Sequence, residues 1–436
     1  MIHEIAQKAI KAIEKDCDAY EIYIDESKFI QLDSKKEELN FAKEEIECGV
    51  GIRVIKDNRI GFAFTSNMDK IIETATQAIE NTKLNKIDEN YAFAEVEKVP
   101  KVKNVYDKKF KDLHLDECIE FLKNAIDCVT DAGCEITGSS FSASEGRSLI
   151  VNSNGASIED EGTGFGLGIS TLLQKDGKIA TAYSSQSSRF FDLDGEKISD
   201  EACSLAKKSL DTKAVETDDY TVVLDYYAAT GLLQTFMGAF NGENVMRSRS
   251  ILKDKMGSEI VNANLTISDN PLLDKGLLTA KSDGEGSVSK KTELVKEGVL
   301  NSFIYDIYTA NKNGIETTSN GLRHSYLTTP VIAPTNLEFK FSEMKDLEEI
   351  DKGVLTTSVL GAHTANPISG DFSVEASNAF KIENGELTDP INNAMISGNI
   401  FEIMKSVEGL NSEIRQYGSF IIPKLIVHDL RVVGQN

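Results

Sequence analysis

The chain has 436 residues. A single hydrophobic core usually organises fewer residues than this, so we expect at least two domains. It carries 47 Lys and Arg against 70 Asp and Glu, a formal net charge of −23 at pH 7, which argues against nucleic acid and anionic membranes as partners because both are bound through basic residues. No run reaches the roughly 18 apolar residues of a membrane span, and lysines interrupt the N-terminal segment where a signal peptide would be apolar, so we expect a cytoplasmic protein.

The first 210 residues contain the same predicted order of helices and strands twice. Apolar residues at helical spacing over 2–13 and 71–79 predict two helices, with strand-like alternation from 19 to 65 between them. The same order returns with helical stripes over 115–129 and 202–210 around alternating segments from 135 to 185. We interpret an N-terminal α/β domain, 1–215, with an internal duplication in units 1–100 and 112–212. The alternative is that there is no duplication, because two α/β layers with common patterning would give a similar sequence pattern.

The second half, 216–436, has a different texture. A strand at 221–224 leads into a helix at about 226–240, which is apolar on nearly all faces and should therefore be largely buried. Short alternating segments follow, and Asn384-Gly385 is the strongest hairpin signal between them. We predict an antiparallel β-rich domain folded around this buried helix, and an α+β fold class for the whole chain.

Residues with catalytic or metal-binding chemistry are scattered along the chain. None of the six cysteines has C-x-x-C spacing, so buried reduced thiols are expected, and the five histidines occur singly. There is no phosphate-binding loop and no nucleophile elbow. Glycines alternate at 162, 164, 166 and 168, which is typical of a strand face that another group approaches closely. The residues themselves therefore predict no cofactor.

The segment 231–240, Gly-Leu-Leu-Gln-Thr-Phe-Met-Gly-Ala-Phe, resembles the place where the TldD/PmbA family carries its metal motif. The catalytic branch of that family has His-Glu-x-x-x-His after a Leu-Leu pair, and here those three slots hold Gln234, Thr235 and Ala239. Further segments similar to the family follow in order, at 282–286, 297–300, 334–337, 368–373, 382–385 and 396–399. Their order and spacing together carry the resemblance.

The resemblance implies a metal-free branch of the family. In the catalytic branch two helix histidines and a C-terminal cysteine hold the metal, and the glutamate activates water. An amide, a hydroxyl and a methyl cannot replace those groups. No cysteine follows Cys203, and the matching segment 413–418 offers no soft ligand. The chain therefore resembles the PmbA, or TldE, branch, with no catalytic and no metal-binding residue of its own.

For function, the resemblance implies a non-catalytic subunit of a TldD/TldE-type metalloprotease complex that processes or degrades small unfolded peptides. Its partner would be a metal-bearing TldD-like paralogue in a homo- or hetero-oligomer, and an extended peptide substrate would bind by strand addition. The alternatives are a stand-alone peptide-binding or regulatory protein and a hydrolase with an unrecognised site. Two sparsely charged loops, 319–336 and 360–372, are candidates for contact with substrate or with another subunit, through His324, Asn336, His363 and Asp371.

Overall fold

The first half of the chain folds into an antiparallel sheet with helices on one face. The structure is a computed structural model that describes residues 2–392 and 394–434. In chain order the elements of this half are α1 (Ile2–Ile13), β1 (Ala19–Lys35), β2 (Glu38–Lys56), β3 (Arg59–Thr65), α2 (Ile71–Thr82), α3 (Leu115–Asp131), β4 (Glu135–Asn152), β5 (Ser157–Lys175), β6 (Lys178–Ser188) and α4 (Gly195–Lys208). The strand order is β3-β2-β1-β4-β5-β6.

The order of helix, three strands and helix occurs twice, and the two groups of strands meet where β1 pairs with β4. Glu21 lies opposite Asn152, and Lys35 lies opposite Gly138. Strand-like alternation in the sequence predicts two shorter strands in the place of each, 19–24 and 29–32 for β1 and 135–143 and 147–152 for β4. The structure has one continuous strand in each place, because β1 and β4 pair without interruption through the polar residues in their middles. The duplication and the domain boundary at 215 stay predictions.

The helices cover one face of this sheet through the apolar stripes that predicted them. α1 and α2 bury Ile22 of β1, and α3 and α4 bury Ile30 of β1 together with Phe141 of β4. The opposite face packs against the second half of the chain. There Gly49 lies so close to Tyr326 that a Cβ would be 2.3 Å from its ring.

The second half contains short strands around one long apolar helix. Its elements are β7 (Asp218–Leu224), α5 (Tyr226–Gly238), α6 (Gly242–Met246), β8 (Leu265–Asp269), β9 (Thr292–Lys296), β10 (Val299–Leu300), α7 (Ile307–Asn313), β11 (Gly321–Leu322), β12 (Val331–Ile332), β13 (Leu337–Phe341), β14 (Met344–Lys345), β15 (Lys352–Leu360), β16 (Asp371–Glu383), β17 (Glu386–Ile391), β18 (Met395–Asn399), α8 (Ile400–Ile403), β19 (Glu408–Leu410), β20 (Arg415–Tyr417), β21 (Phe420–Ile422) and β22 (Leu425–Val433). Among the described residues, no helix is long and apolar enough to cross a bilayer.

The strands around α5 close on themselves. β7 pairs with both β15 and β22, so β7, β15, β16, β18 and β22 form a ring of pairings. α5 lies in the core of this half, where Leu232 and Phe236 are buried with Phe401. The α+β fold class is confirmed. Within the described residues the pairs β7–β15, β13–β21 and β14–β19 are parallel, which the sequence did not predict because alternation carries no information on strand direction.

The strongest predicted turn is present between β16 and β17. Asn384 and Gly385 have φ of 51° and 80°, the left-handed conformation that both central residues of this tight hairpin require. A Cβ at Gly385 would also lie 2.4 Å from the backbone of Glu348, so only glycine fits there.

Candidate functional site

α5 carries the positions that correspond to the family's metal motif, and one of its faces is open. The helix begins after Asp225, whose carboxylate accepts a hydrogen bond from the Tyr226 N–H at 2.7 Å and pairs with Lys424 at 2.9 Å. Seven residues on its other faces are buried. A stripe at helical spacing is not buried and consists of Tyr227, Gly231, Gln234 and Gly238.

The three motif positions lie in different environments. Gln234 is exposed on the open stripe, and Thr235 is half-buried. Ala239 is the C-terminal cap of α5, with only 2% of its surface exposed. The helix is largely buried, as expected, but Gln234 is not.

Residues 413–418, which match the region of the family's cysteine ligand, lie against the first turn of α5. The Tyr226 hydroxyl donates a hydrogen bond to the backbone carbonyl of Glu413, and the ring centroids of Tyr227 and Tyr417 are 4.7 Å apart. The fold therefore brings together the two segments that the sequence resemblance aligns with the metal ligands of the catalytic branch.

The donor atoms in these two segments do not fit a zinc site. Segment 226–240 contains no His, Cys, Asp or Glu, and segment 413–418 contains only Glu413. Across the part of the chain that the structure describes, no three His, Cys, Asp or Glu side chains are grouped so that they could hold a metal ion.

A cleft of about 1350 Å³ opens beside the first turn of α5, between the two halves of the chain. The first half contributes residues of β6 and α4, among them Tyr183 and Glu201, and the second half contributes Tyr227, Arg415 and Tyr417. The cleft is larger than the roughly 300–1,000 Å³ of a typical small-molecule site. Its size and aromatic walls suit a polypeptide segment.

Arg415 is the central cation of the cleft, and acidic groups already pair with it. Its guanidinium donates to both carboxylate oxygens of Glu201, at 2.7 and 3.1 Å, and to Glu413 at 2.9 Å. Burial alone would raise the pKa of Glu201, but hydrogen bonds from Arg415 and Ser184 hold it below its usual value. The ion pair joins α4 to β20, so it connects the two walls of the cleft, and the Arg415 guanidinium is already paired with carboxylates.

One wall of the cleft is a strand edge without a neighbour. β15 pairs with β7 only over residues 353–356, because the chain leaves β7 at Leu224 and enters α5. Beyond that point β15 has β16 on one side and, within residues 2–392 and 394–434, no strand on the other. Thr357, Ser358 and Leu360 of this segment line the cleft. An extended chain can add as a strand to such an edge.

The four residues predicted for contact do not form one site. His324, His363 and Asp371 are exposed, and hydrogen bonds from Ser369 and Asn399 hold the pKa of Asp371 below its usual value. Asn336 is buried. Its amide nitrogen donates to a backbone carbonyl at 2.9 Å and its oxygen accepts from a backbone N–H at 3.0 Å. This corrects the expectation for Asn336, which joins loops within the chain and does not face a substrate or partner.

The family-like segment 282–286 belongs to a buried ionic cluster between the halves. Arg53 of β2 donates to Glu21 of β1 at 2.6 and 2.9 Å and to Glu285 at 3.2 Å, and Arg323 also donates to Glu21. Burial raises the pKa of Glu285 to about 7. Burial also opposes ionisation of Glu21, but the two arginines outweigh it and lower the pKa of that carboxyl. The segment therefore fixes the first half on the second.

Sequence reasoning missed the residues that build the cleft. Glu201 and Arg415 are 214 residues apart in the sequence, and Tyr183, Tyr227 and Tyr417 come from three separate segments. No local spacing brings such residues to notice, because only the tertiary fold makes them neighbours.

Comparisons with known proteins identify the family of the chain. Models of three domains of one family match the chain: PmbA/TldA metallopeptidase domain 1 over residues 20–82, the central domain over 108–210 and the C-terminal domain over 217–434. The chain belongs to the PmbA/TldD metallopeptidase family. The resemblance that its sequence indicated is thereby confirmed at the level of the family.

Members of the PmbA/TldD family resemble the chain over nearly its whole length. It is 36% identical to the uncharacterized protein MJ0231 of Methanocaldococcus jannaschii, covering 96% of this chain and 98% of that protein. It is 24% identical to Metalloprotease PmbA of Escherichia coli O157:H7, covering 100% and 96%. The crystal structure of TldE from Thermococcus kodakarensis has a TM-score of 0.92 at 25% identity, covering 99% of this chain and 100% of that one.

Proposed function

We propose that this member of the PmbA/TldD family is the metal-free, non-catalytic subunit of a cytoplasmic TldD/TldE-type metalloprotease complex that processes or degrades small unfolded peptides. The donor set at α5 carries the proposal. Gln234, Thr235 and Ala239 stand where the catalytic branch has two ligands and a general base, and segment 413–418, which packs on the first turn of the same helix, has no cysteine. A metal-bearing TldD-like paralogue supplies the chemistry in this proposal.

The cleft supports a role in holding the peptide. The unpaired edge of β15 offers backbone hydrogen bonds, which bind an extended chain whatever its sequence. Tyr227 and Tyr417 offer apolar surface beside that edge. These features recognise an unfolded peptide by its backbone and its apolar side chains.

The loops next to α5 support a role in assembly. Loop 360–372 reaches the open face of the helix, where a Cβ at Gly231 would lie 3.3 Å from Ala362. Leu360 and Ile368 of that loop are exposed, as is Leu327 of loop 319–336. In a chain of net charge −23, such sparsely charged apolar surface can meet another subunit without like-charge repulsion. A stable interface there would bury at least roughly 1,000 Å².

Co-purification with the metal-bearing paralogue, followed by a peptide-cleavage assay, tests the proposal. We expect the two chains to form a complex by size-exclusion chromatography with light scattering, and cleavage to require the paralogue. Leu360→Asp and Leu327→Asp are expected to weaken assembly. Leu84→Asp, at an exposed leucine of the first half, is the matched control and should assemble normally.

A chain that stays monomeric at micromolar concentration and ignores the paralogue would overturn the subunit proposal. The stand-alone peptide-binding or regulatory protein would then take its place. A hydrolase with its own metal is tested separately by elemental analysis of the purified chain, for which we expect no stoichiometric zinc. About one tightly bound metal ion per chain would contradict the metal-free assignment.

A further inference from the structure

The outer edge of β2 is uncovered over much of its length. β3 pairs with β2 only where residues 50–56 lie opposite 59–65. Residues 38–48 therefore have β1 on one side, and no other strand of the described chain pairs with them on the other. Several side chains of this segment are exposed, among them Leu39, Phe41 and Ile46. A long exposed strand edge with apolar side chains is one that proteins normally cover or pair.

The other three strands of the same sheet, β4 to β6, show how the corresponding edge of β5 is covered. β5 corresponds to β2, because each is the middle strand of its group and each ends at a tight hairpin turn, Asp57-Asn58 or Asp176-Gly177. Counting back from these two turns, Glu44 corresponds to Thr163 and Ile46 to Phe165. Ile46 is 72% exposed, whereas Phe165 is 3% exposed.

β6 pairs with residues 165–175 of β5, and beyond β6 the cover over this edge is a separate segment of the chain itself. The Thr163 N–H donates to the carbonyl of Val105 at 2.9 Å, and the Asp107 N–H donates to the Thr163 hydroxyl at 2.9 Å. Phe110 follows, and its ring centroid lies 6.2 Å from that of Phe165. This segment thus makes one backbone hydrogen bond and one hydrogen bond to the hydroxyl of Thr163, and it places an aromatic side chain against the apolar residue Phe165.

The charges of the cover and of the open edge are opposite. The covering stretch, residues 101–112, contains five Lys against two Asp. The uncovered stretch, residues 38–48, contains four Glu against one Lys. Two copies of the edge would bring glutamates together if they paired with one another, and like charges on adjacent strands are destabilising. The charge therefore favours a basic occupant over a second copy of this chain.

We propose that residues 38–48 of β2 are a docking edge for an extended segment of a partner polypeptide that carries Lys or Arg and an apolar side chain. The segment adds beside β2 as residues 105–110 lie beside β5. Its backbone pairs with the free edge, its basic residues face Glu44 and Glu47, and its apolar side chain covers Ile46. This surface lies outside the cleft at α5 and does not depend on the function proposed for that cleft.

The probe that tests this docking edge is a fluorescein-labelled synthetic peptide with the sequence of residues 101–112, added to the full-length chain. We expect saturable binding by fluorescence anisotropy that weakens with salt, and protection of the backbone amides of residues 38–48 from hydrogen exchange when peptide is present. Ile46→Asp and the double change Glu44→Lys with Glu47→Lys are expected to weaken binding by about tenfold or more. Both changes are on exposed side chains, and the double change breaks one partly exposed ion pair, between Glu44 and Lys28, so the variants should stay folded.

Two controls make the outcome specific. Ile179→Asp changes an exposed isoleucine at the start of β6 and should bind the peptide as the wild type does. A peptide with its lysines replaced by glutamate should not bind. The proposal is overturned if the wild type shows no saturable binding, if Ile46→Asp binds as tightly as the wild type, or if protection appears elsewhere. A dimer of the chain that Ile46→Asp dissociates would also overturn it, in favour of self-pairing.

Discussion

The burial of a residue, and not its place in the metal motif, determines how far a substitution there lowers the free energy of unfolding. Ala239→Glu would place an unpaired carboxylate in the core of the second half, and we expect it to lower the free energy of unfolding by about 3–5 kcal/mol. Gln234→Glu is the matched control on the same helix. Because Gln234 is exposed, we expect a change within about 0.5 kcal/mol. Urea unfolding measures both, and equal midpoints would mean that Ala239 is not part of the core.

A second expectation at this scale concerns pH and the carboxyl of Asp25. Asp25 lines a small cleft between the sheet and the second half, where burial, with the charge of Glu47 nearby, raises its pKa to about 6. The folded chain therefore binds this proton more tightly than the unfolded chain does. The resulting stability is present below about pH 4 and is lost as the pH rises through about 6. A rise from 3.8 to about 6 corresponds to at most roughly 3 kcal/mol.

Asp25→Asn removes this dependence because the amide is neutral at every pH. We expect the variant to melt at a higher temperature than the wild type near pH 7.5 and at a similar temperature near pH 4. Calorimetry at the two pH values measures the difference. The same difference at both values would show that Asp25 titrates normally.

The sequence identified which residues occupy the motif positions, but it could not determine their exposure. Gln234 lies in an apolar run, yet it falls on the one open stripe of α5. Asn336 lies in a loop sequence rich in Thr and Pro, yet it is buried with its amide fully bonded. In both cases the deciding contacts come from residues distant in sequence.

At the scale of the element, we expect that α5 cannot form a working metal site even when the side chains of the motif are restored. The triple change Gln234→His, Thr235→Glu and Ala239→His restores the residue types of the motif His-Glu-x-x-x-His. We expect no peptide cleavage by that variant alone, because 413–418 contains no cysteine to act as the third ligand and because an imidazole at buried Ala239 would overpack the core and lack a partner to orient it. Zinc content and peptide cleavage are measured with the catalytic paralogue as positive control. Robust cleavage would refute this view of the site.

Helices, hairpins and the row of glycines in β5 could be predicted because their signals are local. The apolar stripes gave the positions of α1 to α5, and the close approach expected at the glycines is confirmed. A Cβ at Gly162 would lie 2.7 Å from the Arg189 guanidinium, and one at Gly168 would lie 2.8 Å from the Tyr183 hydroxyl. Parallel pairing of β7 with β15 and closure of the ring through β22 could not be predicted, because both depend on contacts between residues far apart in the chain.

At the scale of the whole molecule, a polar contact joins the two halves. Glu21 and Arg53 come from the first half, and Glu285 and Arg323 come from the second. All four side chains are almost fully buried. One nitrogen of the Arg323 guanidinium is buried without a hydrogen-bond partner in the described chain, so that cation depends on Glu21 for its compensation. The sequence showed segment 282–286 only as a family feature, and the fold gives it this structural role.

Glu21→Gln is expected to destabilise the chain strongly, because it leaves two buried guanidinium groups without their shared carboxylate. Breaking a buried ion pair from one side typically costs about 3–5 kcal/mol. Lys178→Met, which breaks an exposed pair with Asp211, is the matched control and should leave the free energy of unfolding almost unchanged. Urea unfolding followed by circular dichroism compares the two variants. If Glu21→Gln cost no more than Lys178→Met, the halves would be joined by apolar packing such as that of Tyr326 on Gly49, and the ionic cluster would contribute little to their association.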